Sequence, residues 1–283
     1  EIAILALWLT KHQMNVEFFK EFGRTNPTLP LTDAGNVVQG NACRLDWEEV
    51  CPKNEKDEIY ILGNPPYVGS RKQNKNQKED LRLNFEHLKR YKDLDYISIW
   101  FLKGSLYIRD TSNRLSFVST NSICQGLQVS LLWPHIFNKN LKIDFAYPSF
   151  KWINNAKGNA GVTVIIIGLS SIKIKKNPLI FRNGVKMEVD SINAYLISGN
   201  KDLMVSSKTN SICGLPKINH GNMPADGGKF LFSNDEKETF LLKEPRAERW
   251  FYKIATAKEH LNGRLRWCLW LEDASLNEIE SLP

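Results

Sequence analysis

The stretch DEIYILGNPPYVGS, residues 57–70, is an apolar run that ends on an asparagine and two prolines. Its first half, DEIYILG (57–63), is short and rich in β-branched and aromatic residues, so it reads as a strand. Because it is nearly continuous in apolar residues, burial on both faces is expected. Pro65 and Pro66 carry no N–H for a ladder and end the strand.

Working outward, RLSFVST (114–120), KIDFAYP (142–148) and GVTVIIIGLS (161–170) read as three more strands, and NVVQGNA (36–42) as a short one. LDYISIWFLKGSLYIRD (94–110) has apolar residues at helical spacing, and EIAILALWLTKHQM (1–14) reads as a buried helix. This alternation predicts an α/β fold with a mostly parallel sheet. SRKQNKNQKED (70–80) reads as a polar, basic loop. From Ile172 the pattern changes to short strand-like pieces and turn clusters such as GNMPADGGKF (221–230), so the expected domains are 1–171 and a more irregular α+β unit, 172–283.

The composition, 42% hydrophobic and 24% charged, is that of a globular protein. The longest apolar run, Ile2 to Leu9, is far short of the ~20 residues of a membrane span. No basic-then-apolar leader opens the chain, which makes a cytoplasmic setting and no membrane partner the expectation. Cys43, Cys51, Cys124, Cys213 and Cys268 are scattered without a C-x-x-C pair, against a zinc site or a disulfide framework, and no metal is expected. A net charge of +7 leans toward a polyanionic partner. The chain starts at Glu1 and stops at Pro283 within patterned sequence, which reads as an internal piece of a longer protein.

The chemistry of the NPP turn follows from its position. Ligands of an open parallel sheet sit at the carboxyl ends of its strands, where Asn64 stands. Pro65 and Pro66 fix φ at two successive residues, so the Asn64 side-chain carbonyl and the Pro65 backbone carbonyl are held in set directions. Two acceptors converging on one –NH₂ group draw its nitrogen toward a more nucleophilic form. Tyr67 offers a face on which a base can stack. Such a site activates an exocyclic amine on a nucleobase.

With NPPY after a strand, the sequence resembles the S-adenosylmethionine-dependent amino-methyltransferases that modify adenine in DNA. GNACRLDW (40–47), LSFVSTNSICQG (115–126) and YPSFKWINNAKGNAGVTVIIIGL (147–169) extend the likeness. The order is similar to the large single-chain type IIL/IIG restriction–modification methyltransferases, in which a target-recognition domain follows the catalytic one. The resemblance is firmest over 1–170 and extends through GNMPADGGKF and NGRLRWCLWL beyond it.

The resemblance implies a Rossmann-like methyltransferase fold lacking its first strands. It implies S-adenosylmethionine as cofactor, double-stranded DNA as partner, and an endonuclease fused or associated upstream. It gives Asn64, Pro65 and Tyr67 the flipped adenine, and Pro66 the stiffening of the turn. Asn41, with Ala42 beside it, and Asn64 would meet the cofactor; many relatives have Asp where Asn41 stands. Phe150 or Trp152 would face Tyr67 across the base, and the sequence does not choose between them. The family's glycine-rich turn is absent, since no G-x-G occurs, so this piece alone is expected to be inactive.

Arg71, Lys72, Lys75 and Lys78 beside the NPPY turn are candidates for phosphate contact, with a solvated surface as the duller reading. Arg264 and Arg266 in NGRLRW are candidates for reading guanine edges. No Pro-Cys occurs, which sets aside carbon-5 cytosine methylation. Methylation of a glutamine amide or of RNA, and a non-catalytic DNA-recognition remnant, stay as alternatives.

Overall fold

The computed structural model describes residues 2–23, 36–54, 57–152, 163–208, 210–216 and 226–282. It divides into two units, Glu1–Ser207 and Lys208–Pro283.

The first unit opens with helix α1 (Ile2–Phe22) and the short α2 (Trp47–Val50). Strand β1 (Tyr60–Gly63) leads through a 3-10 turn at Ser70–Lys72 into α3 (Lys75–Phe85). After α4 (Ser98–Ile108) come β2 (Arg114–Thr120), α5 (Gly126–Phe137), β3 (Leu141–Lys151) and β4 (Thr163–Ser171). Strands β5 (Leu179–Arg182) and β6 (Val185–Glu188) complete it. The sheet order is β1-β2-β4-β3-β5-β6. β1 runs parallel to β2, and β3 to β5. β4 is antiparallel to both β2 and β3, and β6 to β5.

The sheet is therefore mixed, which corrects the mostly parallel expectation. A parallel return needs a crossover of a dozen residues or more, usually a helix, and the β3–β4 connection is too short for one. The antiparallel β4 lies between two strands pointing the same way, so β1, β2 and β3 all end at one edge of the sheet.

α4 and α5 cover one face. Leu115 and Phe117 of β2, Ile143 of β3 and Ile167 of β4 form one buried cluster with Phe101, Ile108, Trp133 and Ile136. Contact is close: a Cβ on Gly104 would come within 2.7 Å of the Leu115 side chain. The other face is partly open, and Tyr60 and Leu62 are 55% and 76% exposed. This corrects the reading of β1 as buried on both faces: among the described residues it is an edge strand covered on one side only.

Other expectations shift for similar reasons. α1 forms, but none of its described residues is buried: Ile2, Leu5, Leu9, Phe18 and Phe22 are exposed. Residues 36–42 are not a strand: no neighbouring strand pairs with them. The supposed loop 70–80 contains the start of α3, whose capping box is supplied by Asn74 and Gln77. β5 and β6 extend the sheet beyond the expected boundary at 171/172. No described helix is long and apolar enough to cross a membrane.

The second unit carries a three-stranded antiparallel sheet, β7 (Leu231–Phe232), β8 (Phe251–Ile254) and β9 (Arg266–Leu269), in the order β7-β9-β8. Helices α6 (Asn234–Lys243), α7 (Ala257–Asn262) and α8 (Leu276–Glu280) accompany it. Ala247, Trp250, Phe251 and Leu269 form its small core. The turn before β7 needs Gly227 and Gly228, at φ 72° and 85°. The Asp226 carboxylate accepts from the N–H groups of Phe230 and Gly228 and holds that turn. Of the expected turn cluster 221–230, residues 221–225 lie outside the described residues.

Candidate active site

The parallel alignment of β1 with β2 pairs Gly63 with Phe117 and ends the strand at Asn64. Asn64 is exposed, Pro65 is buried, Pro66 is exposed and Tyr67 is half-buried against the core. Among the described residues no protein donor bonds the Asn64 side chain or the Pro65 carbonyl. Two neighbouring acceptors at the end of the strand are thus without a protein donor among the described residues.

The turn is pinned from behind. The Val68 N–H donates to Asp95 Oδ1 at 3.0 Å. Its carbonyl accepts from the Tyr96 N–H at 3.1 Å and from Gln73 Nε2 at 2.9 Å. The same Gln73 Nε2 donates to the Leu94 carbonyl. Asp95 Oδ2 accepts from Ser122 Oγ at 3.3 Å, just past the end of β2. The neighbouring Asn121 Nδ2 donates to Ser149 Oγ on β3 at 3.3 Å. A hydrogen-bonded path therefore runs from Val68 to the residue beside Phe150.

Phe150 and Trp152, both half-buried, stand two residues apart near the end of β3, ring centroids 6.4 Å apart. The structure brings them to the sheet edge at which Tyr67 stands. Residues 153–162, which follow, lie outside the described residues.

The G-N-A turn is held by a second buried carboxylate. Asp80 of α3, 2% exposed, accepts from Asn41 Nδ2 at 3.0 Å, Arg44 Nε at 2.7 Å and the Tyr96 hydroxyl at 2.7 Å. Burial works against the charge of Asp80, but hydrogen bonds from Tyr96, Asn41 and Arg44 outweigh it and hold the carboxyl below its ordinary value. Burial pushes the Cys43 thiol, which donates to the Tyr96 hydroxyl, up to about 11. Asn41 Oδ1 accepts from the Cys43 N–H at 2.9 Å. One lone pair of that oxygen remains for an amine donor, so a fixed Asn41 fits the adenine end of the expected cofactor. Ala42 follows it, half-buried.

Three comparisons with known proteins place the chain in a family. A family model described as the MmeI DNA-methyltransferase domain matches residues 1–182. A second, described as the MmeI target recognition domain, matches residues 199–283. The chain belongs to the MmeI DNA-methyltransferase family. DNA methyltransferase A of Bacillus subtilis (strain 168) is 45% identical over 284 residues, covering 100% of this chain and 32% of that protein. The type IIL restriction–modification enzyme MmeI, solved in complex with DNA, superposes with a TM-score of 0.85 at 39% identity. That match covers 98% of this chain and 38% of MmeI. The chain thus spans about a third of the length of these relatives.

Within this MmeI-type chain the other candidates belong to two different units. Arg71, Lys72, Lys75 and Lys78 are exposed and make no ion pair among the described residues. Arg264, in the second unit, is exposed. Arg266 lies 2.9 Å from the carboxylate of Glu259, which is 6% exposed, so its guanidinium is partly committed to the protein. Sequence reasoning missed Asp80, Gln73 and Asp95, the residues that position the two turns. The available signal was a carboxylate inside an apolar run, as in LDYI (94–97).

Proposed function

We propose that the chain provides the base pocket and part of the cofactor pocket of a site-specific DNA adenine methyltransferase of a restriction–modification or phage-defence system. The observation that carries this reading is the pair of acceptors, Asn64 Oδ1 and the Pro65 carbonyl, that no protein donor among the described residues satisfies, on a proline-stiffened turn at a strand end.

A flipped adenine offers a flat ring and an exocyclic amine with two hydrogens. Asn64 and the Pro65 carbonyl each accept one of them and orient the nitrogen lone pair. Pro66 keeps the two acceptors in register, and Tyr67 stacks on the base. The ends of β1 and β3 are three strand spacings apart, about 14 Å, room enough for a base between Tyr67 and Phe150 or Trp152. Asn41, with Ala42, would hold the adenine end of S-adenosylmethionine, and Asn64 would border its methyl end. When bound, that cofactor supplies an electrophilic methyl group on its sulfonium. No tuned general base is needed: the surplus proton leaves to solvent once the nitrogen is alkylated. Positioning carries most of the acceleration, and in such sites it contributes on the order of 7–11 kcal/mol. In the second unit Arg264 is assigned to base-edge contact.

The test is Asn64→Ala in the protein at its natural length, with DNA affinity and methyl transfer measured side by side. Loss of transfer by about 100-fold or more with affinity unchanged supports the reading. Retained transfer removes Asn64 from the mechanism. Transfer to RNA or to a protein amide, but not to DNA, replaces the substrate.

A further inference from the structure

We infer that an open cleft beside the NPPY turn is a clasp for the DNA sugar-phosphate backbone next to the flipped nucleotide. It is formed by the turn Ser70–Lys72, the first half of α3 and the turn Tyr91–Asp93, and has a volume of about 660 Å³. This deepens the methyltransferase reading and rests on it.

Arg71, Lys75, Lys78 and Lys92 all line the cleft. All four are exposed, and none makes an ion pair among the described residues. The acidic groups of the lining are already used. Glu79 pairs with Arg82 at 2.8 Å, and Asp93 with Arg90 at 2.9 Å. Four like charges around one cleft repel one another unless an anion enters. Lys75 and Lys78 stand one turn apart on α3, the spacing of neighbours on a single helix face.

The cleft is joined rigidly to the base pocket. Gln73, 6% exposed, lies on its lining, and its Nε2 clamps the Val68 and Leu94 carbonyls at 2.9 Å each. Val68 follows Tyr67 directly, and Leu94 follows the Tyr91–Asp93 turn. One side chain therefore fixes both walls relative to the stacking tyrosine. A nucleotide swung out of the helix must have its flanking phosphates held in a rotated position. A multidentate cationic cleft adjoining the pocket supplies that hold, as phosphate contacts set position and register rather than sequence.

The experiment measures affinity for a DNA duplex against KCl concentration, using the protein at its natural length. Wild type is compared with Lys78→Gln/Lys92→Gln and with Lys186→Gln, an exposed lysine on β6. Thermal melting confirms that each variant is folded, and methyl transfer by wild type is recorded in the same buffer. Each lost phosphate contact lowers the slope of log K against log salt by about 0.9, so the double variant should lose about 1.8 while Lys186→Gln keeps the wild-type slope. A double variant that behaves like Lys186→Gln overturns the clasp. If wild type transfers methyl and the slope does not change, the clasp fails and the enzyme reading stands. If the slope falls as expected and wild type transfers no methyl, the enzyme reading fails and the cleft remains a DNA contact.

Discussion

Replacing Asp95 by alanine separates anchoring of the NPPY turn from the chemistry proposed for the turn itself. Asp95 is 5% exposed, and its Oδ1 accepts from the Val68 N–H at 3.0 Å and the Ile97 N–H at 3.3 Å. Alanine leaves both donors without that partner, at about 1–3 kcal/mol for each buried donor. The Ser122 hydroxyl can turn elsewhere and adds little. A loss of about 2–6 kcal/mol corresponds to a fall in Tm of roughly 4–24 °C for a unit of this size. Asparagine keeps Oδ1 as an acceptor and presents an –NH₂ to the Ser122 oxygen, so Asp95→Asn should cost about 1 kcal/mol. The kinetic contrast should be as sharp. A turn misplaced by about 1 Å lowers transfer about 100-fold, so kcat of Asp95→Ala should fall by that factor at temperatures where it remains folded. Asp95→Asn should stay within tenfold of wild type. The assay is calorimetry together with single-turnover methyl transfer on both variants. Unchanged kcat in folded Asp95→Ala would refute the link between this carboxylate and the site, and equal losses in both variants would show that charge, not acceptor geometry, matters.

Four further outcomes can be measured. Asp80→Ala removes the shared acceptor of Asn41, Arg44 and Tyr96, costing about 2–4 kcal/mol, and should raise KM for the cofactor more than it lowers kcat; steady-state kinetics and urea titration check this. Because the folded-state value of Asp80 lies below that of an unfolded aspartate, about 3.9, its stabilisation is complete above that pH and is lost as pH falls through the folded value; acid titration of Asp80→Ala should lack this component. Gly168→Ala places a Cβ against the Phe145 ring, which the β3–β4 register sets opposite it, and should lower stability by about 1–3 kcal/mol in denaturant melts. At pH 8, iodoacetamide should label exposed Cys51 and Cys213 and spare buried Cys43 and Cys124; with its thiol raised from 9.0 to about 11, Cys43 carries about 100-fold less thiolate, and peptide mass mapping reads the difference.

Strand identity was legible where a segment's own pattern decides it. RLSFVST coincides with β2, and the NPP turn marks the end of β1. What depends on neighbours was not legible. The apolar character of Tyr60 and Leu62 says nothing about which face receives helices, and both are exposed. The reversal of β4 is set by the length of its connection rather than by its composition. In 70–80 the many lysines obscured the Asn74–Gln77 capping box that starts α3. At the candidate site the pattern is the same. Asn64 to Tyr67 stand out because two successive prolines have few uses at a strand end. Asp80 and Asp95 act across 39 and 27 residues of sequence on Asn41 and Val68, a relation that only the folded chain brings about. Arg266 reads as free in NGRLRW, yet folding sets it beside Glu259.

The central claim is that the turn at Asn64 presents an adenine amine for methylation. Its most direct test is nucleoside mass spectrometry of duplex DNA incubated with S-adenosylmethionine and the protein at its natural length, with Asn64→Ala alongside. The account predicts new 6-methyladenine in the wild-type sample and none with Asn64→Ala. Methyl groups on the cytosine amine would keep the turn's chemistry and contradict the base; no methylated nucleoside in either sample would contradict the account itself.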